Sequence, residues 1–260
     1  MNRRILLAAT AIALVVGLAF APRAAASWLP ARRVAVLMYH DFVPGEGRSG
    51  RYLVVSEADF RRQMQFLARR GYRTITTEEL RQFVDGKLRL PARSVLITVD
   101  DGYESTYTVM YKVLREYGLR ATLFERTGRA DTPNHLMWNQ MKEMQTSGVF
   151  EIASHSHEGH YRDTPLTYEF WRNDLAAADA QFAAHGLPRP KAFAYPMGRH
   201  NAEVIRALRD HGIEIAFLTT PGYVRSGDPP FELPRFPIVN TTTLREFALY
   251  VSGHYRPIDR

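Results

Sequence analysis

Short runs rich in β-formers alternate with helical patterns along this chain: VAVLMY (34–39), SVLITV (94–99), ATLFERT (121–127), EIASH (151–155), KAFAYP (191–196) and IEIAFLT (213–219). Such alternation predicts parallel strands joined by crossover helices. Between the first two runs, Phe60, Met64 and Leu67 recur at helical spacing after Ser56 and stop before Gly71. TTEELRQFVDG then opens with a capping box from Thr76 to Glu79. Weaker strands, RTI at 73–75 and RFPI at 235–238, bring the total to about seven or eight units. The expected fold is α/β, an irregular (β/α) barrel in a single domain, with an open doubly wound sheet as the rival.

The first 26 residues differ in kind. Arg3 and Arg4 precede the apolar run Ile5 to Ala21, and small residues follow in APRAAAS. This pattern predicts an export signal cleaved before Ser27, or an uncleaved N-terminal anchor associated with the membrane, ahead of a domain spanning 27–260. Either way the domain is expected outside the cytoplasm. With 45% hydrophobic and 12% aromatic residues the chain can bury a sizeable core. Removing residues 1–26 lowers the formal charge from +7 to +4, and the basic residues are scattered rather than interleaved with aromatics, so no nucleic-acid partner is expected. The chain has no cysteine. Thiolate chemistry is excluded, and any metal must be held by His, Asp or Glu.

Polar residues of catalytic type stand at the carboxyl ends of the expected strands: His40, the pair Asp100 and Asp101, His155, and Pro196 with the residues after it. In a barrel these ends converge on one mouth. Adjacent carboxylates repel, so a pair is stabilised by a shared cation or by separate roles, although Asp and Gly also build plain turns at strand-to-helix junctions. Convergence favours the catalytic reading. EIASHSHEGHY adds His155, His157 and His160, and two of them with one carboxylate would make a mononuclear metal site with open positions for water. Spacing alone leaves His157 and His160 both open as the second ligand.

TVDDG (98–102), SHSHEGH (154–160) and FAYPMG (193–198) together resemble the polysaccharide deacetylase family, carbohydrate esterase family 4, over roughly residues 34–240. The resemblance implies that Asp100 acts as base, and that Asp101, His155 and His160 bind a divalent metal, Zn²⁺ first, with Co²⁺, Ni²⁺ and Fe²⁺ as alternatives. It places Met197 where a backbone N–H holds the oxyanion. The common family spacing of four residues between the histidines would fall on Gly159, and here the second histidine is one later. That longer spacing, with the opening VLMYHDF, is similar to the branch acting on poly-β-1,6-N-acetylglucosamine, in which the general acid matches His40. His254 in VSGHYRP ranks below it. Ala194 stands where the family has an arginine, and Arg235 is a substitute that could orient Asp100. The implied partner is an N-acetylated glycan polymer. Among the aromatics Trp138, Tyr161, Trp171 and Tyr195, the candidates for stacking on sugar are Tyr161 and Tyr195. The alternatives are a peptidoglycan or chitooligosaccharide deacetylase, a hydrolase of another exported ester or amide, and a catalytically silent glycan-binding domain.

Overall fold

The computed structural model describes residues 30–46 and 50–255. The expected export segment and its cleavage point lie outside them. The elements run β1 (Val34–Tyr39), β2 (Asp41–Val43), β3 (Val54–Ser56), α1 (Glu57–Arg69), β4 (Arg73–Thr74), α2 (Thr77–Val84) and β5 (Ser94–Asp100). A π-helical turn, Thr106–Tyr111, continues as α3 (Lys112–Tyr117). Then follow β6 (Ala121–Glu125), α4 (Trp138–Thr146), β7 (Phe150–Ser154), α5 (Tyr168–Ala184), β8 (Ala192–Ala194) and α6 (Ala202–Asp210). The chain closes with β9 (Ile215–Phe217), β10 (Tyr223–Val224), β11 (Phe236–Pro237) and α7 (Leu244–Val251).

Helix starts follow the expected chemistry. Ser56 caps α1 by accepting the Asp59 amide, and Thr76 and Glu79 form the reciprocal capping box of α2. Each such cap stabilises its helix by about 1 kcal/mol. Phe60, Met64 and Leu67 are fully buried along one stripe of α1, each contributing roughly 1.5–3 kcal/mol. KAFAYP keeps only Ala192–Ala194 as strand, because Pro196 has no amide N–H for the ladder and starts a 3₁₀ turn.

Strands β1, β5, β6, β7, β8 and β9 lie side by side in that order, all parallel. The sheet then curls until its edges share one segment. Leu218 donates its amide to the Leu233 carbonyl (2.8 Å) and Leu233 donates to Ala216 (3.1 Å), while Ile238 donates to Met38 (2.9 Å) with Phe236 opposite Leu37. Residues 233–238 therefore seal the seam between β9 and β1. The result is the irregular (β/α) barrel, not the open doubly wound sheet.

Both faces of the barrel wall are covered. Val34, Val36, Leu96, Phe124, Ala153, Ala194 and Phe217 cluster with Leu80, Phe83 and Val84 of α2, which plugs the end where the strands begin. The alternate positions Leu37, Tyr39, Ile97, Val99 and Leu123 pack outward against α1, α3, α4 and α7. Phe193, Tyr195 and Ala216 form a third cluster with α5 and α6. With that end plugged and the wall covered, the strands' carboxyl ends are left as the open mouth.

Candidate active site

Strand β5 ends on Asp100, which is buried, and the chain leaves through two successive left-handed residues, Asp101 (φ 76°) and Gly102 (φ 71°). Aspartate tolerates that region better than most side chains. Glycine is required next: a Cβ on residue 102 would lie 2.1 Å from Glu125 Oε2. The turn sends the two carboxylates to different partners. Asp100 receives both arms of the Arg235 fork, Nη1 to Oδ1 and Nη2 to Oδ2, each at 2.7 Å. Arg235 is itself fully buried and is fixed by Thr98 Oγ1 (3.1 Å) and the Leu218 carbonyl (2.9 Å). Burial alone would push the Asp100 carboxyl up, but the Arg235 charge, His155 and the two hydrogen bonds hold it below the ordinary carboxylate range.

Asp101 turns to the histidines. Its Oδ1 lies 2.8 Å from His160 Nε2 and 3.5 Å from His155 Nε2, yet this buried oxygen has no partner in hydrogen-bond alignment. His155 places Nδ1 2.7 Å from the Ala194 carbonyl, which can only accept, so Nδ1 carries a hydrogen and, in the neutral ring, Nε2 presents a lone pair to Asp101. Acceptor facing acceptor calls for a proton or a cation between them. Asp101, His155 and His160 each offer a ligand atom, all within 4.8 Å of one another. Two imidazoles and a carboxylate suit a divalent ion that keeps open positions. Burial would raise the Asp101 carboxyl, but His155 and His160, when protonated, hold it well below its usual range.

The loop between the histidines is shaped by Asp174 of α5. Its carboxylate accepts the amides of His157 (2.9 Å), Glu158 (2.7 Å) and Gly159 (3.0 Å). At Gly159 a Cβ would lie 2.7 Å from the Trp171 ring, so a histidine at that position has no room and the next residue supplies the imidazole. His157 points elsewhere, with Nδ1 2.9 Å from Thr127 Oγ1.

His40 follows β1 at the same mouth, with Nδ1 buried and without a partner. Burial lowers its pKa, and the attraction of Asp100 and Asp101 offsets this only in part. Met197 leaves β8 in the left-handed region (φ 54°) and is exposed. His254 is exposed on the segment that packs on Tyr223, beside the start of β1 and far from the mouth. Tyr161 is half exposed, with the Arg126 guanidinium 4.8 Å from its ring centroid. Tyr195 departs from the expectation of a sugar-stacking surface. It is fully buried, because the strand's alternation puts it on the outer face with Phe193, between the barrel wall and α6, stacked on His200. Trp138 and Trp171 are likewise buried.

Several residues at the mouth were not singled out from the sequence: Asp174, Glu125, Tyr103, Tyr52 and Arg126. Two cavities meet at Asp101 and Tyr103. One, of about 350 Å³, runs past His40, Asp41, Tyr52 and Leu53. The other, of about 290 Å³, is lined by Arg126, Arg129, His135 and His160. Tyr52 is 64% exposed on the first.

Residues 87–216, half of the chain, match the polysaccharide deacetylase family. A Bacillus subtilis protein named as a polysaccharide deacetylase, YxkH, is 29% identical over 230 residues, covering 87% of this chain and 80% of its own. The poly-β-1,6-N-acetyl-D-glucosamine N-deacetylase of Escherichia coli is 24% identical over 260 residues, and the match covers 84% of this chain but only 38% of that enzyme. Among solved structures, IcaB from Ammonifex degensii shares the fold with a TM-score of 0.77 at 24% identity, covering 86% of this chain and 98% of that one.

Proposed function

The chain belongs to the polysaccharide deacetylase family of hydrolases, and from that premise we propose that it is a metal-dependent N-deacetylase of N-acetylglucosamine units in a poly-β-1,6-linked exopolysaccharide outside the cytoplasm. One observation carries the reading: Asp101, His155 and His160 converge within 4.8 Å beside an Arg235-clamped Asp100. A binding module would need neither the clamped base nor the ligand set. The names of the E. coli relative and of its counterpart in Staphylococcus epidermidis, 28% identical over 198 residues, support the glycan class.

A divalent ion held by Asp101, His155 and His160, Zn²⁺ before Co²⁺, Ni²⁺ or Fe²⁺, supplies Lewis acidity toward the acetamide oxygen and toward water. The remaining chemistry is the protein's own. Asp100, kept ionised by Arg235, takes the proton of the attacking water. The Met197 amide donates a hydrogen bond to the oxygen on which charge develops. As the C–N bond breaks, His40 in its protonated form gives a proton to the departing nitrogen, acetate and a free-amine sugar leave, and the proton taken by Asp100 returns to solvent. Tyr161 borders the site as a surface for a sugar ring. The location outside the cytoplasm rests on residues 1–26. Among the described residues no helix is long and apolar enough to cross a membrane.

Acetate release from matched β-1,6-linked, β-1,4-linked and peptidoglycan fragments by metal-loaded protein tests the proposal. The β-1,6 oligomers are expected to be the best substrates. Preference for peptidoglycan would overturn the linkage, and no release from any of them would leave a silent binding domain.

A further inference from the structure

The cavity on the far side of Asp101 from His40 has an unusual wall. Arg126, the residue after β6, is only 7% exposed, yet its Nε is buried with no hydrogen-bond partner and its Nη2 reaches Glu158 Oε2 only at 3.5 Å. A guanidinium has donors and no acceptor, and cannot discharge itself by losing a proton. Arg129 adds a second positive charge on the exposed rim of the same cavity. On the acidic side, Glu158 stands at the solvent edge, and Asp101 on the floor faces the two histidines. The cavity shares Asp101 and His160 with the reaction site, so it adjoins the place where the reacting unit would bind.

We infer that this cavity is a charge-selective subsite in which Arg126 takes a hydrogen-bond acceptor of the neighbouring sugar, its acetamide oxygen, and rejects a neighbour carrying a free ammonium group. The inference deepens the N-deacetylase reading and rests on it. The guanidinium, whose polar contact is the long reach to Glu158 and whose face lies 4.8 Å from the Tyr161 ring, has donors to spare for an acetamide carbonyl, whereas an ammonium group offers no acceptor and adds like-charge repulsion from Arg126 and Arg129. The product of one turnover is then a poor neighbour for the next. Deacetylation stops short of adjacent units, and the glycan keeps a spaced pattern of free amines.

Defined oligomers that differ only in whether the unit beside the reacting one is acetylated or free provide the test, with acetate release and equilibrium binding both measured on metal-loaded, full-length protein. The wild type is expected to favour the acetylated neighbour by at least about tenfold in kcat/KM and in affinity. Arg126→Gln should bring that ratio to near one, and Arg126→Lys, which keeps the charge, should retain most of it. Arg129→Gln, on the exposed rim, should reduce the ratio in part and guards against misfolding of the buried variant. A wild-type ratio near one, or a ratio unchanged in both Arg126→Gln and Arg129→Gln, overturns the subsite. If neither oligomer releases acetate the deacetylase reading fails, and the binding ratio still decides the subsite by the same criterion.

Discussion

Strands β5 and β6 are hydrogen-bonded neighbours, with Asp100 in register with Phe124, and each ends in a fully buried acid followed by a charged residue. Their fates are opposite. Asp100 meets a buried guanidinium fork and is held ionised, while Asp101 turns to two imidazoles. Glu125 meets nothing: both carboxylate oxygens are buried without partners, and burial, with repulsion from Asp101, raises its pKa well above the ordinary range. Arg126 next to it keeps an unpartnered Nε. At equal depth, the supply of a partner and not the depth itself sets whether a carboxyl is a charge or a neutral acid.

The sharpest contrast is removal of the working charge. Asp100→Asn is expected to lower acetate release by about 10²–10⁴-fold while metal content stays at the wild-type level, because a base acts without holding the ion. Steady-state rates beside elemental analysis check this, and metal loss would make Asp100 a ligand instead.

Arg235→Met would place Asp100 in the situation of Glu125. Breaking a buried pair from one side costs about 3–5 kcal/mol at neutral pH, to be read from urea denaturation. The sign with pH follows from the depressed Asp100 pKa. The pair's stabilisation is present above the unfolded aspartate value of about 4 and is lost as pH falls through the folded value, so the gap between variant and wild type should narrow in acid.

Glu125→Gln should show the reverse slope. The folded state holds the Glu125 proton after the unfolded chain has released it. Wild-type stability therefore falls as pH rises above the ordinary glutamate range, by at most about 1.4 kcal/mol per pH unit, until the folded pKa is passed. The variant lacks that fall, and melting temperatures measured across pH would show its advantage widening. Parallel profiles would mean that Glu125 has a partner in solution.

The two strand ends touch at Gly102. Gly102→Ala adds a Cβ 2.1 Å from Glu125 Oε2 at a φ of +71°, a change expected to cost about 1–3 kcal/mol. Adding Glu125→Ala should restore the part due to collision and leave the backbone part, which a double-mutant cycle separates.

Much of this arrangement was legible in the sequence. The run SVLITV and the acids after it mark a strand end, and the clustered histidines mark a second, because apolar runs that stop at chemistry-bearing residues leave a local trace. Arg235 was legible only as a substitute for the arginine missing at Ala194: its contact with Asp100 spans 135 residues and no local pattern encodes it. The choice of His160 over His157 depends on Asp174 and on the Trp171 ring behind Gly159, both on α5. Tyr195 was misplaced for a reason the sequence did contain. In AFAY the alternation groups it with Phe193 on the outer face, away from the mouth. The left-handed turns at Asp101, Ser156 and Met197 had no local signal beyond Gly102, since ordinary residues occupy them.

The seam formed by residues 233–238 also bears on the order in which this protein becomes competent. In chain order β1, β5, β6, β7, β8 and β9, with every proposed metal ligand and the proposed base, all precede Arg235. Until that late segment slots between β9 and the carboxyl half of β1, whose first residues β10 already covers, those strand edges stand open and Asp100 lacks the Arg235 fork. One segment both closes that part of the ring and clamps the proposed base. A chain ending before Arg235 would thus carry the proposed ligands and the proposed base without the fork that clamps that base.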